Sequence, residues 1–262
     1  MFLSVKPFAA LLAALAVAAV APAAFGAAPC PGNADALGTA RILAVDAATT
    51  PRVGRKQFPQ TLPLAPKEVV LTFDDGPWPG TTERILDALR QECVRATFFL
   101  IGRNAAVRPA LAQRELAEGH TVGYHSFSHP MLDRMPIEGA EADVDRGIAA
   151  VDGALRGQAG HAAPFFRFPY FSSTPPLLDW LERRRMAVFG ADLWASDWNR
   201  MTPDQELRLV LGRIEANQGG IVLFHDTKAQ TAAMLPAFLR ALKAGGFSIV
   251  DVAEPGTHQQ AP

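Results

Sequence analysis

Seven short apolar, β-prone runs recur along the chain, at 68–73, 96–101, 120–124, 164–168, 187–191, 220–224 and 247–252. Helical patterns separate most of them, near 81–92, 107–118, 138–156, 175–185, 203–217 and 229–244. This alternation constrains the fold more than any other feature, because strands that take turns with helices build a parallel sheet. The runs are short and nearly all apolar, as strands covered on both faces must be. No glycine-rich dinucleotide fingerprint follows the first run. The expected fold is therefore α/β: one domain, a closed or nearly closed (β/α) barrel of about seven parallel strands. Thr202 followed by Pro203 reads as an N-cap, and Gly245-Gly246 as a helix stop.

Active sites of such barrels sit where strands end, and the residues after each run are unusually polar. The first run ends in Asp74-Asp75, before Gly76-Pro77. The third ends in "YHSFSHP", with His125 and His129, and the fourth in "RFPY", Arg167 to Tyr170. The fifth leads into "DLWASDW", with Asp192, Asp197 and Trp198; the next ends in "LFHD", His225 and Asp226. Each cluster alone has an ordinary structural reading: a turn, surface histidines, an ion pair, a cap, a core histidine. Five of them at five strand ends converge on one rim.

The residue types suggest the chemistry. One carboxylate and two imidazoles make a three-ligand metal site with positions left for water and substrate, and His-x-x-x-His puts two imidazoles on one helical face. The second carboxylate remains to take a proton, with Arg167 to orient it. His225 can protonate a leaving group, with Asp197 to raise its pKa and fix its tautomer.

In their order, "TFDDGP", "HSFSH", "RFPY", "SDW" and "LFH" resemble the five motifs of the polysaccharide deacetylases, metal-dependent carbohydrate esterases related to chitooligosaccharide deacetylases. The resemblance covers residues 67–252. It implies a distorted (β/α) barrel, with Asp74 as general base, Asp75, His125 and His129 as metal ligands, and Arg167 positioning Asp74. It also implies that the backbone N–H of Tyr170 helps to hold the oxyanion, that Asp197 tunes the general acid His225, and that Leu223 and Trp198 line the acetyl pocket or groove. The implied cofactor is a divalent metal, zinc first, with cobalt, nickel or manganese as alternatives. The implied substrate is an N-acetylated glycan built on N-acetylglucosamine. An O-acetyl esterase or a non-sugar amidase would use the same site; a catalytically dead carbohydrate-binding domain would have lost the base or a ligand, and none is missing. One departure is Trp194, in a place where the family often has an acid.

The rest of the chain sets the setting. Residues 1–28 carry one Lys, an Ala/Leu/Val run and then small residues, the layout of a cleaved export signal. The alternative, an N-terminal membrane anchor, has an apolar run short for a span, and no later segment is apolar enough to cross a bilayer. Residues 29–66 read as an extension with one short strand, "ARILAV"; 67–254 read as the catalytic domain and 255–262 as a tail. Export places Cys30 and Cys93 in an oxidising compartment, where they are expected to form one bridge. A net charge of −1 gives no basic field for nucleic acid.

Overall fold

The computed structural model describes Met1 and residues 30–256. The expected export signal and most of the C-terminal tail therefore lie outside the described residues. In chain order the strands are β1 (Thr39–Ala44), β2 (Arg52–Val53), β3 (Glu68–Asp74), β4 (Thr97–Leu100), β5 (Thr121–Tyr124), β6 (Phe165–Phe166), β7 (Ala187–Phe189), β8 (Leu193–Trp194), β9 (Gly219–His225) and β10 (Ser248–Ala253). The helices are α1 (Thr82–Gln91), α2 (Gly102–Val107), α3 (Pro109–Ala117), α4 (Ile137–Ala154), α5 (Pro175–Arg183), α6 (Pro203–Asn217) and α7 (Ala229–Ala244). Each of the seven expected runs holds a strand, and "ARILAV" holds β1. The two-residue strands β2 and β8 were not expected, because two residues carry no period. The helix expected near 107–118 is α3, which Pro109 starts at a position that needs no N–H donor; the six-residue α2 before it was not expected. Thr202 does cap α6, in a reciprocal box with Gln205.

Every strand pairing is parallel. The ring runs β9–β3–β4–β5–β6–β7 and closes by a change of partner within one segment. Residues of β7 pair with β6 and β2; a few residues later the same chain, as β8, pairs with β9. This break distorts the barrel. The segment before Lys67 fills it: β1 lies along β10, β2 along β7, and Arg55 and Thr61 bond the Asp192 carboxylate at 3.0 and 2.8 Å.

The period of two divides the side chains of each strand. Phe73 stacks on Phe98 and Phe224, centroids 5.1 and 5.5 Å apart, on the outer face beneath the helices. Val70, Phe99, Phe165, Phe189 and Ile221 form an inner cluster with Val45, Val53 and Leu62 from the N-terminal segment. Above that cluster the inward positions turn polar, and there the site begins. Cys30 and Cys93 are joined by a disulfide across a sequence separation of 63, tying the start of the described chain to the turn before β4.

Candidate active site

Asp74 and His225 occupy one rung of the β3–β9 ladder, so both side chains face the same way, into the barrel mouth. Below Asp74, the buried Arg167 spans the interior. Its Nη1 donates to Asp74 Oδ1 at 2.8 Å and to Thr72 Oγ1 at 2.7 Å. Its Nε and Nη2 donate to the carbonyls of Phe189 and Gly190 at 3.1 and 2.7 Å, where β7 leaves its partner. The guanidinium also lies 4.3 Å from the Phe99 ring. One side chain thus orients the carboxylate and satisfies carbonyls that the broken ladder would orphan.

Adjacent residues of a strand should point to opposite faces, yet Asp75 also reaches the mouth. Its φ of 79° ends the alternation and swings the carboxylate over the opening. Asn104 holds the turn by donating to the Asp75 carbonyl at 2.7 Å. Two neighbouring acids can therefore serve one site.

His125 and His129 are not on a helix, contrary to the reading of their spacing. They bracket a loop in which Ser126 and His129 both have φ of 61°. The loop folds back so that the two rings stand 5.0 Å apart. Asp143 of α4 pins it by accepting from Phe127 N, Ser128 N and Ser128 Oγ. His125 Nδ1 donates to the Arg167 carbonyl at 2.7 Å, which leaves its Nε2 lone pair for a ligand. Asp75 Oδ1 lies 3.5 Å from His125 Nε2 and 3.2 Å from His129 Nε2.

This donor set fits a metal. One atom from each of Asp75, His125 and His129 falls within 4.8 Å of the others, and buried Asp75 Oδ1 has no hydrogen-bond partner among the described residues. Ligands about 2.0–2.1 Å from a tetrahedral ion stand roughly 3.3 Å apart, as these nearly do. Burial would push the Asp75 carboxyl up, but the imidazoles beside it hold it well below the usual carboxylate range.

Across the mouth, Asp197 Oδ1 accepts from His225 Nδ1 at 2.7 Å and Asp197 Oδ2 from His225 N at 2.6 Å. Burial would lower this imidazole's pKa, yet the Asp197 pair raises it to about 9. Its Nε2 faces Asp75 Oδ2 at 4.0 Å. Trp198 stands edge-on to His225 at 5.9 Å, and Tyr170 edge-on to His129 at 4.6 Å. Both aromatics are exposed on the rim, whereas Leu223 is buried two residues below His225 on the same strand face.

Two acids expected at the rim are elsewhere. Asp192 is sewn into the barrel seam by Arg55 N, Thr61 Oγ1 and Ile221 N. Asp226 turns under β3, accepting from Thr82 Oγ1 at 2.6 Å, and burial pushes it up to about 8. A Cβ on Gly76 would meet its Oδ2 at 1.9 Å, so only glycine fits there. Sequence reasoning also missed Thr231 and Glu206, which back Asp197. Thr231 Oγ1 lies 3.0 Å from Asp197 Oδ2 and 2.8 Å from Glu206 Oε1. Neither residue is near Asp197 in sequence, and no local pattern marks them.

The family model described as polysaccharide deacetylase matches residues 62–187. A chitooligosaccharide deacetylase from Bradyrhizobium sp. is 34% identical over 198 residues, covering 70% of this chain and 88% of that protein. The chain belongs to the polysaccharide deacetylase family. Among other polysaccharide deacetylases it is similar to the peptidoglycan-N-acetylglucosamine deacetylase of Listeria monocytogenes, with 34% identity over 72% of this chain. It spans only 38% of that relative's length. A solved structure, the peptidoglycan deacetylase Bd3279 of Bdellovibrio bacteriovorus, superposes with a TM-score of 0.74 and 32% identity, covering 83% of this chain and 59% of that one.

Proposed function

We propose that this polysaccharide deacetylase is a metal-dependent hydrolase that removes N-acetyl groups from glycans containing N-acetylglucosamine. One observation carries the reading: a carboxylate–imidazole–imidazole cluster lies between an arginine-held carboxylate and an aspartate-held imidazole. Asp75, His125 and His129 would hold a divalent metal, zinc by its liking for this donor set. When bound, it supplies a Lewis acid for the acetyl carbonyl and an acidified water. Asp74 takes the proton of the attacking water, oriented by Arg167. The backbone N–H of Tyr170 donates to the oxyanion that develops as oxygen attacks the carbonyl carbon. His225, kept protonated by Asp197, gives its Nε2 proton to the departing nitrogen as the C–N bond breaks. Amide and water become free amine and acetate. Trp198 and Leu223 shape the acetyl pocket.

The glycans for which the relatives are named, chitooligosaccharide and peptidoglycan, support a glycan outside the cytoplasm. So does the disulfide, and among the described residues no helix is long and apolar enough to cross a membrane. The protein is exported after cleavage within its first 28 residues, and its catalytic unit is the stretch 67–254 with the preceding segment as part of its wall. Acetate release from N-acetylglucosamine oligomers, set against release from acetylated xylan, tests the reaction. Release from the amide substrate is expected; release from the ester alone would make the protein an O-acetyl esterase.

A further inference from the structure

The barrel seam opens to one side as a groove of about 320 Å³, lined in part by Lys56, Asp192, Trp194, Arg213 and Asn217. Two cations stand in it. The Lys56 ammonium sits 4.9 Å over the Trp194 ring. Arg213 Nη1 donates to the Trp194 carbonyl at 2.6 Å and to Ser196 Oγ at 2.7 Å. That fixes the guanidinium and leaves its Nε and Nη2 without a hydrogen bond among the described residues. Neither cation has a carboxylate within ion-pair distance among the described residues. Asp192, the one acid in the wall, is buried, and both its oxygens are taken by Arg55 N, Thr61 Oγ1 and Ile221 N. The groove thus presents an unspent guanidinium edge and an ammonium.

The groove is joined to the catalytic mouth by a row of rings. His225 meets Trp198 at 5.9 Å, Trp198 meets Trp194 at 5.8 Å, and Trp194 carries Lys56. Phe171, the neighbour of Tyr170, stacks on Trp194 at 6.2 Å and stiffens it. A glycan running outward from the mouth over half-exposed Trp198 would bring its next substituents to this groove. Arginine's planar fork and a nearby lysine suit a carboxylate.

We propose that the seam groove is a subsite for a carboxylate carried by the glycan, away from the sugar whose acetamide is hydrolysed. The assignment deepens the proposed function and rests on it. A lactyl ether on a neighbouring amino sugar would supply such a carboxylate, and so would a peptide attached to that ether. Lys56 comes from the segment that precedes the family match at residue 62, so the shared domain alone does not supply it.

The probes are a peptide-free glycan fragment with lactyl carboxylates, the same fragment with those carboxylates reduced to alcohols, and the fragment with peptide attached. Calorimetric binding to the metal-loaded protein, which needs no turnover, should favour the carboxylate form over the alcohol about tenfold, with the advantage shrinking as salt is raised. Lys56→Glu, on an exposed side chain, should erase the preference and raise KM on the acidic glycan about tenfold. Its kcat, and its KM on neutral N-acetylglucosamine oligomers, should stay unchanged. A preference seen only with the peptide form assigns the groove to the peptide's carboxylate. Equal binding of acid and alcohol with no gain from peptide, or an equal loss on neutral and acidic substrates in Lys56→Glu, overturns the proposal. Failure of the wild type to release acetate from neutral oligomers would instead strike the proposed reaction and leave the binding comparison to decide the subsite.

Discussion

Thr231 has a single hydroxyl hydrogen and two carboxylate oxygens at bonding distance, Asp197 Oδ2 and Glu206 Oε1. If both acids were ionised, one of these contacts would be a repulsion between lone pairs. The arrangement is satisfied when Glu206 is protonated and donates to Thr231, which donates to Asp197. Burial pushes the Glu206 carboxyl up to about 7 from an ordinary 4.5. The folded state then binds a proton that the unfolded chain has lost, so stability from this group is full below pH about 4.5 and fades as pH rises through 7. The urea midpoint should fall between pH 5 and pH 8, and should fall less in Glu206→Gln, whose amide donates at every pH. The proposed base and acid invite a sharper split. Asp74→Asn and His225→Ala should each cost about 10²–10⁴-fold in turnover on the amide, with bound metal near one equivalent in both. On an activated aryl acetate, whose leaving group departs without a proton, His225→Ala should lose less, whereas Asp74→Asn should lose as much. Metal loss in His225→Ala would make that residue a ligand. Asp75→Asn or His129→Ala should lower metal content and activity together, and chelation should abolish hydrolysis until zinc or cobalt is restored.

Among the elements, α4 decides whether the histidine loop closes. A Cβ on Gly147 would meet the Ser126 carbonyl carbon at 2.5 Å and Phe127 N at 2.7 Å, whereas a Cβ on Gly153 of the same helix would meet nothing within 4 Å. Gly147→Ala should therefore push the loop away and weaken metal binding, read by titration, although it touches no ligand. Gly153→Ala should keep the metal and gain up to about 1 kcal/mol in helix stability. The same elements show what the chain disclosed in advance. Apolar runs ending in polar residues located the strands and placed Asp74, Asp75, Arg167 and His225 at their ends, because parallel strands covered on both faces leave a plain pattern. The His-x-x-x-His spacing misled: two left-handed residues, Ser126 and His129, make a loop of what a helix would also satisfy. Nothing local betrayed Thr231 or Glu206, whose roles arise only when α6 and α7 pack beside β9. Asp192 and Asp226 followed strands like the others, but burial turned them to structural bonds.

At the scale of the whole molecule, the segment before Lys67 is wall and filling rather than appendage. Val45, Val53 and Leu62 pack with Phe99, Phe189 and Ile221 inside the ring. Deleting residues 30–60 should yield a protein that precipitates or unfolds at low urea, even though the family match begins at residue 62. The Cys30–Cys93 bridge, with its separation of 63, should contribute about 4 kcal/mol in the chain-entropy model. Reductant should lower the urea midpoint, and mass spectrometry of the unreduced protein should find no free thiol. One further consequence lies in the rung shared by Asp74 and His225. Neighbouring strands keep a spacing of about 4.8 Å because backbone hydrogen bonds dictate it. The backbone separation of Asp74 and His225, proposed above as proton acceptor and proton donor, is thus a property of the ladder and is inherited with the sheet. A loop such as the one bearing Lys56 can change without moving that rung, so Asp74 and His225 stay clamped to the same ruler.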